Sequence, residues 1–125
     1  MELVQIIKAL SDETRIRILN LLKQGDLCVC ELEILLDLNQ SNASRHLNKL
    51  ANAKIIKYYK KAKFVYYKLV EDTLNEHPFI IELLNTELCK IEQLNHDMEK
   101  LKRYKDSGIT CDDLKLDKSV IESIK

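Results

Sequence analysis

Apolar residues recur at three- and four-residue spacing along most of this chain, which predicts a succession of helices. Leu3, Val4, Ile6, Ile7 and Leu10 outline the first. Ser11 can cap a second helix beginning at Glu13 or Thr14, with Ile16, Ile18, Leu19, Leu21 and Leu22 as a wide apolar face and Gly25 near its end. A third, short helix is expected over Asp26 to Leu38, with Leu32, Leu35 and Leu36 inward and only negative charges: Asp26, Glu31, Glu33 and Asp37. Asn39 can cap a fourth, in which Ala43, Leu47 and Leu50 share one face and polar side chains cover the rest. The character then changes. Ile55 to Leu69 is β-branched and aromatic and predicts two strands around the polar Lys60-Lys61-Ala62-Lys63. After a connector at Glu71 to Asn75, His77-Pro78 starts the longest helix, expected to run to about Tyr104 with a stripe of Ile80, Leu84, Leu88, Ile91, Leu94, Met98 and Leu101.

Two short helices joined by a turn, the second polar and basic, followed by a hairpin, describe a winged helix-turn-helix. The fold class is mainly α with a small β-hairpin. The long stripe exceeds what a small domain needs for its own core, so it is expected to be a homodimer surface shared with the first helix; the alternative is that it only covers the monomer. Ser107-Gly108 ends that helix. The chain thus divides into a winged-helix DNA-binding and dimerisation unit, 1–105, and a polar, mobile tail, 106–125, that carries Cys111.

Charge sharpens the reading. The formal net charge is zero, yet residues 40–70 hold Arg45, Lys49, Lys54, Lys57, Lys60, Lys61, Lys63 and Lys68 and no Asp or Glu. A field of one sign attracts a polyanion, and counterion release favours the complex. A polar helix can enter a major groove while a basic hairpin tip holds flanking phosphates. The expected partner is double-stranded DNA. No apolar run approaches the ~20 residues a bilayer requires, and the N-terminus has no signal-peptide pattern. A cytoplasmic protein with no membrane partner is expected. An enzyme is disfavoured, since there is no cofactor loop and no Cys-x-x-Cys.

In a reducing compartment the four cysteines are thiolate ligands or buried thiols. Cys28 and Cys30 open the third helix. Residues two apart diverge by about 200° inside a helix, but at a frayed first turn, with Cys28 just outside it, they converge. The helix amino end lowers thiol pKa. Such a pair suits a thiophilic ion; packing as small hydrophobes is the competing reading. The spacing is not that of a zinc finger. A three-thiolate site for As(III) or Sb(III) needs one more sulfur, from Cys111 in cis or across a dimer, or from Cys89, which is better placed as core. His96 and Glu99 are read as a solvated face and His77 as a helix start.

Three segments carry a family resemblance: Ala9-Leu10-Ser11-Asp12-Glu13-Thr14-Arg15-Ile16-Arg17-Ile18-Leu19, Asp26-Leu27-Cys28-Val29-Cys30-Glu31-Leu32, and Gln40-Ser41-Asn42-Ala43-Ser44-Arg45-His46-Leu47 with Phe64-Val65-Tyr66-Tyr67-Lys68-Leu69. Over about residues 1 to 105 the chain resembles the ArsR/SmtB family of metal-sensing repressors. The resemblance implies a dimeric winged helix that represses until a metal ion binds, with Cys28 and Cys30 as the matching ligands. Joined to the reading of the residues, this predicts release of an inverted-repeat operator when As(III) or Sb(III) binds Cys28, Cys30 and a third sulfur, Cys111, with no organic cofactor. On this reading of the polar helix and the hairpin, Gln40, Ser41, Asn42, Ser44, Arg45 and His46 are expected to face the major groove and Lys49, Lys60, Lys61 and Lys63 to sit near phosphates. Glu33 stands where arsenic sensors often have another Cys, residues 1 to 27 lack the cysteines of cadmium/lead sensors, and Leu83 and Asn85 replace early zinc ligands. The wing tip has Ala62 or Lys63 where the family usually has Gly. A thiol-redox sensor, or one for Cd, Pb or organoarsenicals, remains the alternative on this scaffold.

Overall fold

The computed structural model describes residues 1–116. In chain order it comprises α1 (Glu2–Leu10), α2 (Glu13–Leu22), β1 (Leu27–Cys28), α3 (Val29–Leu35), α4 (Gln40–Asn52), β2 (Ile56–Lys61), β3 (Phe64–Leu69), α5 (Glu71–Glu76), α6 (Pro78–Glu82), α7 (Glu92–Ser107) and α8 (Cys111–Leu116). Asn39 caps α4 by accepting from the Asn42 N–H at 2.8 Å, as the sequence suggests. The cap of α2 is Asp12, which accepts from the Arg15 N–H at 3.1 Å, rather than Ser11, whose hydroxyl turns back to Lys8 O. Leu19, Leu32, Leu47, Leu50 and Ile55 form the centre of a core to which α1–α4, the sheet and α7 all contribute.

The sheet has three strands, not two. β3 lies between β2 and β1, antiparallel to both, with Tyr67 opposite Leu27 and Tyr66 opposite Cys28. Residues 27–28 therefore leave the helix expected over Asp26 to Leu38. Pairing there satisfies backbone groups along an edge of β3 that a bare hairpin would leave open. The turn from β2 to β3 places Ala62 at φ +57, a left-handed conformation at the position where glycine would be free of strain.

The long helix is interrupted. After α6 the chain forms a π turn (Leu83–Glu87) and a 3-10 turn (Leu88–Lys90), and Ile91 is extended at φ −102, ψ 120 before α7 begins. Polar ties set α7 on its own path. Arg17 grips the buried Asp97 through two bonds of 2.8 and 3.0 Å, and Asn20 donates to Leu94 O at 3.0 Å. Ile80, Leu84, Leu88, Leu94 and Leu101 of the stripe are consequently buried within this chain. The exposed large apolar residues include Leu3, Val4 and Ile7 on α1, at 43%, 41% and 49% exposure, Phe79, and from the stripe itself Ile91.

The segment expected as a mobile tail folds in part. Gly108, at φ +76, ends α7, and α8 brings Leu114 into the main core and buries Cys111. Residues 117–125 lie outside the described residues. Among those described, no helix is long and apolar enough to cross a membrane.

Two buried polar groups join helices. The Tyr104 hydroxyl on α7 donates a short hydrogen bond to Glu31 Oε2 on α3. His46 on α4, 5% exposed, meets the Arg15 guanidinium at 3.1 Å through Nδ1. Arginine can only donate, so Nδ1 accepts and the ring is neutral. Burial, with the charges of Arg45 and Arg15 against that of Asp12, lowers the His46 pKa below its ordinary 6.5.

Three predictions follow from these contacts. Tyr104→Phe leaves Glu31 Oε2 without its donor and should cost about 1–3 kcal/mol in urea unfolding. Ala62→Gly should stabilise the wing by about 0.5–1 kcal/mol by the same measurement. Below pH 6.5 the unfolded chain protonates His46 before the folded chain does, so stability should fall as pH drops from 7.5 to 5.5; thermal melts of His46→Gln should show a shallower decline over that interval.

Candidate functional site

The cysteine cluster is built by three elements distant in sequence. Cys28 ends β1 and is also the residue before the first turn of α3, with φ −83 and ψ 161. That extended conformation turns its side chain toward Cys30, and the two sulfurs are 2.6 Å apart. Glu31 holds the geometry: its Oε1 accepts from the Cys28 N–H at 2.8 Å while its other oxygen takes the Tyr104 hydroxyl. Burial, followed by the bond to Glu31, raises the Tyr104 pKa, so the phenol stays a donor. Cys111 arrives at the start of α8, and its sulfur is joined to that of Cys28 as a disulfide.

All three sulfurs lie within 4.8 Å of one another. Cys28 and Cys111 are 1% and 5% exposed, packed with Phe64, and Cys30 is half-buried. The Cα atoms of Cys28 and Cys111 are 7.4 Å apart, beyond the ~4.4–6.8 Å usual for a disulfide. With the bridge reduced, the three sulfurs offer soft donors that match a thiophilic ion. Cys89 is not part of the cluster; it is exposed and donates to Thr86 O. His96 and Glu99 are exposed, and His77 sits at the junction of α5 and α6.

The basic face adjoins this cluster. Gln40, Ser41, Asn42, Ser44, Arg45 and Lys49 are exposed on α4, and Lys60, Lys61 and Lys63 are exposed at the wing tip. His46 departs from expectation: it points inward to Arg15, with Asp12 at 3.5 Å, because its position on α4 falls beside Leu47 and Leu50 rather than on the polar face. A cleft of about 490 Å³ runs between the first turn of α4 and the wing, lined by Gln40 and Ser44 on one side, Lys63 and Phe64 on the other, and Cys28 and Cys30 at its end. The wing is stiffened by aromatic pairing. Tyr59 stacks on Tyr66 at 5.6 Å, and its hydroxyl donates to Asp26 at 2.7 Å. That bond raises the Tyr59 pKa.

Sequence reasoning finds the cysteines and the basic face but misses Glu31 and Tyr104. Glu31 reads there as one more surface charge. Its place three residues after Cys28 is the capping-box spacing and was the available signal. Tyr104 carries no local signal; it meets Glu31 only through the packing of α7 on α3.

Residues 12–58 match the family described as bacterial regulatory protein, arsR family. The cadmium resistance transcriptional regulatory protein CadC homolog of Staphylococcus aureus is 39% identical over 77 residues, 61% of this chain and 64% of that protein. The match thus spans slightly under two thirds of that relative's length. The arsenic resistance transcriptional regulator ArsR1 of Pseudomonas putida is 36% identical over 93 residues, 74% of this chain and 67% of that protein. A winged helix-turn-helix DNA-binding domain from Mycobacterium bovis superposes with a TM-score of 0.59 over 73% of this chain and 85% of that one, at 23% identity, a likeness of fold. With the helix-turn-helix of α3 and α4, the wing of β2 and β3 and these relatives together, the chain belongs to the ArsR family of bacterial transcriptional regulators.

Proposed function

We propose that this chain is a homodimeric repressor that releases an inverted-repeat operator when As(III) or Sb(III) binds Cys28, Cys30 and Cys111. The observation that carries the reading is the meeting of these sulfurs, from β1, α3 and α8, at the end of the cleft between α4 and the wing. The number of donors favours a trivalent ion over cadmium or zinc, for which four ligands are usual in closed sites. Relatives are named for both arsenic and cadmium resistance.

Operator contact divides between the exposed side chains of α4, which read base edges, and the wing lysines, which hold phosphates. A symmetric dimer places two such units one or two helical turns apart on DNA. The uncovered apolar residues Leu3, Val4 and Ile7 of α1, with Phe79 and Ile91, support the second copy. An ion bridging the sulfurs supplies bonds to three soft donors. The protein's part is transmission. Cys28 is both a strand partner of Tyr66 and the cap of α3, so a displacement at its sulfur bears on the wing and on the helix that supports α4. Release requires the ion to favour the DNA-free form by about 1–3 kcal/mol, or 5–150-fold in affinity.

The disulfide between Cys28 and Cys111 favours a second reading, a thiol-oxidation sensor. Two thiols would yield two protons and two electrons to a two-electron oxidant such as peroxide, forming the sulfur–sulfur bond.

Arsenite titration of the reduced protein on fluorescent operator, followed by anisotropy, should release wild-type protein by at least 5-fold in affinity. Cys28→Ser, Cys30→Ser and Cys111→Ser should bind the metal-free operator normally and fail to respond. An unchanged response in all three removes the site. Parallel titrations with cadmium, zinc and peroxide separate the readings, since release by peroxide alone favours oxidation.

A further inference from the structure

We propose that α8 is an electrostatic clamp on the wing: with the Cys28 and Cys111 sulfurs held together, the carboxylate of Asp112 takes the Lys63 ammonium that otherwise meets a DNA phosphate. The inference rests on the sensing reading above and assigns it a route to release. Asp112 directly follows Cys111, and its Oδ1 lies 3.2 Å from Lys63 Nζ. The two side chains are 60% and 69% exposed, so the pair stands on the surface beside the cleft rather than in the core. Lys63 is also placed over the ring of Phe64 at 5.5 Å, and Phe64 packs against Cys28 and Cys111. One small cluster thus joins thiol centre, wing tip and acid. Asp113 is engaged elsewhere, accepting from the Thr110 N–H at 2.9 Å, which leaves Asp112 to face the wing.

Residues 40–70 contain no acid of their own, so this carboxylate is brought to the wing from a remote part of the chain. An exposed lysine–carboxylate pair is weak by itself. It forms here because the sulfurs set a high effective concentration of Asp112 at Lys63. When the sulfurs part, α8 keeps Leu114 in the core but loses the anchor at its first residue, next to Asp112, and a phosphate can displace the carboxylate. Closing the thiol centre neutralises one cation per protomer at the DNA surface, without altering α4.

The test measures operator affinity of the full chain across a salt series, with and without arsenite, for wild type, Asp112→Asn and Asp112→Lys. Thiolate–arsenic absorbance reports loading in each. Wild type should lose about two units of the slope of log affinity against log salt on loading, from two Lys63 contacts per dimer. Asp112→Asn should load normally, bind the metal-free operator within about twofold of wild type, keep its salt slope on loading, and hold the operator about 3–10-fold more tightly than loaded wild type. Asp112→Lys should exceed it. Normal absorbance with wild-type release and a wild-type loss of slope in both variants overturns the clamp and leaves the sensing reading intact. Absence of thiolate–arsenic absorbance in wild type overturns the sensing reading and the clamp with it.

Discussion

A single carboxylate holds the working parts together. Glu31 is buried, and its two oxygens are divided between the Cys28 amide and the Tyr104 hydroxyl. The first bond keeps Cys28 in the extended conformation that precedes α3; the second fixes α7 against the same helix. A buried charge must be hydrogen-bonded to be tolerated, and both partners here come from elements that have to stay in register. In a regular helix two cysteines two positions apart diverge. They converge in this chain because the first of them has been kept out of the helix.

The recognition helix is anchored in a comparable way from the opposite side. Arg15 reaches Ala9 O at 2.6 Å and His46 at 3.1 Å, so α1, α2 and α4 meet at one guanidinium. The polar face of α4 is therefore presented by a fixed base, while the wing is supported by β1 and the aromatic pairs of β2 and β3. The face of α4 and the wing hang on different supports, and Cys28 belongs to the one that leads to the wing and the start of α3.

Periodicity was sufficient to reveal α1, α2, α4 and the hairpin, because Ala43, Leu47 and Leu50 or Ile55 and Ile56 declare a face by spacing alone. It failed where burial is decided by partners remote in sequence. Leu27 and Cys28 look helical until β3 offers an edge. The stripe from Ile80 to Leu101 has coiled-coil spacing, yet Arg17 and Asn20 draw α7 onto α2 and the chain breaks at Ile91. His46 sits in a polar run, but on α4 it shares the buried face of Ala43, Leu47 and Leu50, where Arg15 meets it. Within the cysteine cluster, the pair at 28 and 30 was legible from its place at a helix start. Cys111 is preferred to Cys89 from the sequence, but by way of a mobile tail; in the structure it is the packing of α8 that brings its sulfur to Cys28.

Cys28 and Cys111 are 83 residues apart. A bridge between them closes a ring over most of the chain, and in the chain-entropy account such a closure withdraws roughly 4–5 kcal/mol of freedom from the unfolded ensemble. Whatever bridges these sulfurs therefore acts as a rivet for the fold. In the proposed sensing cycle the bridged, released form would be the sturdier one, and the unbridged form the one most readily lost to proteolysis.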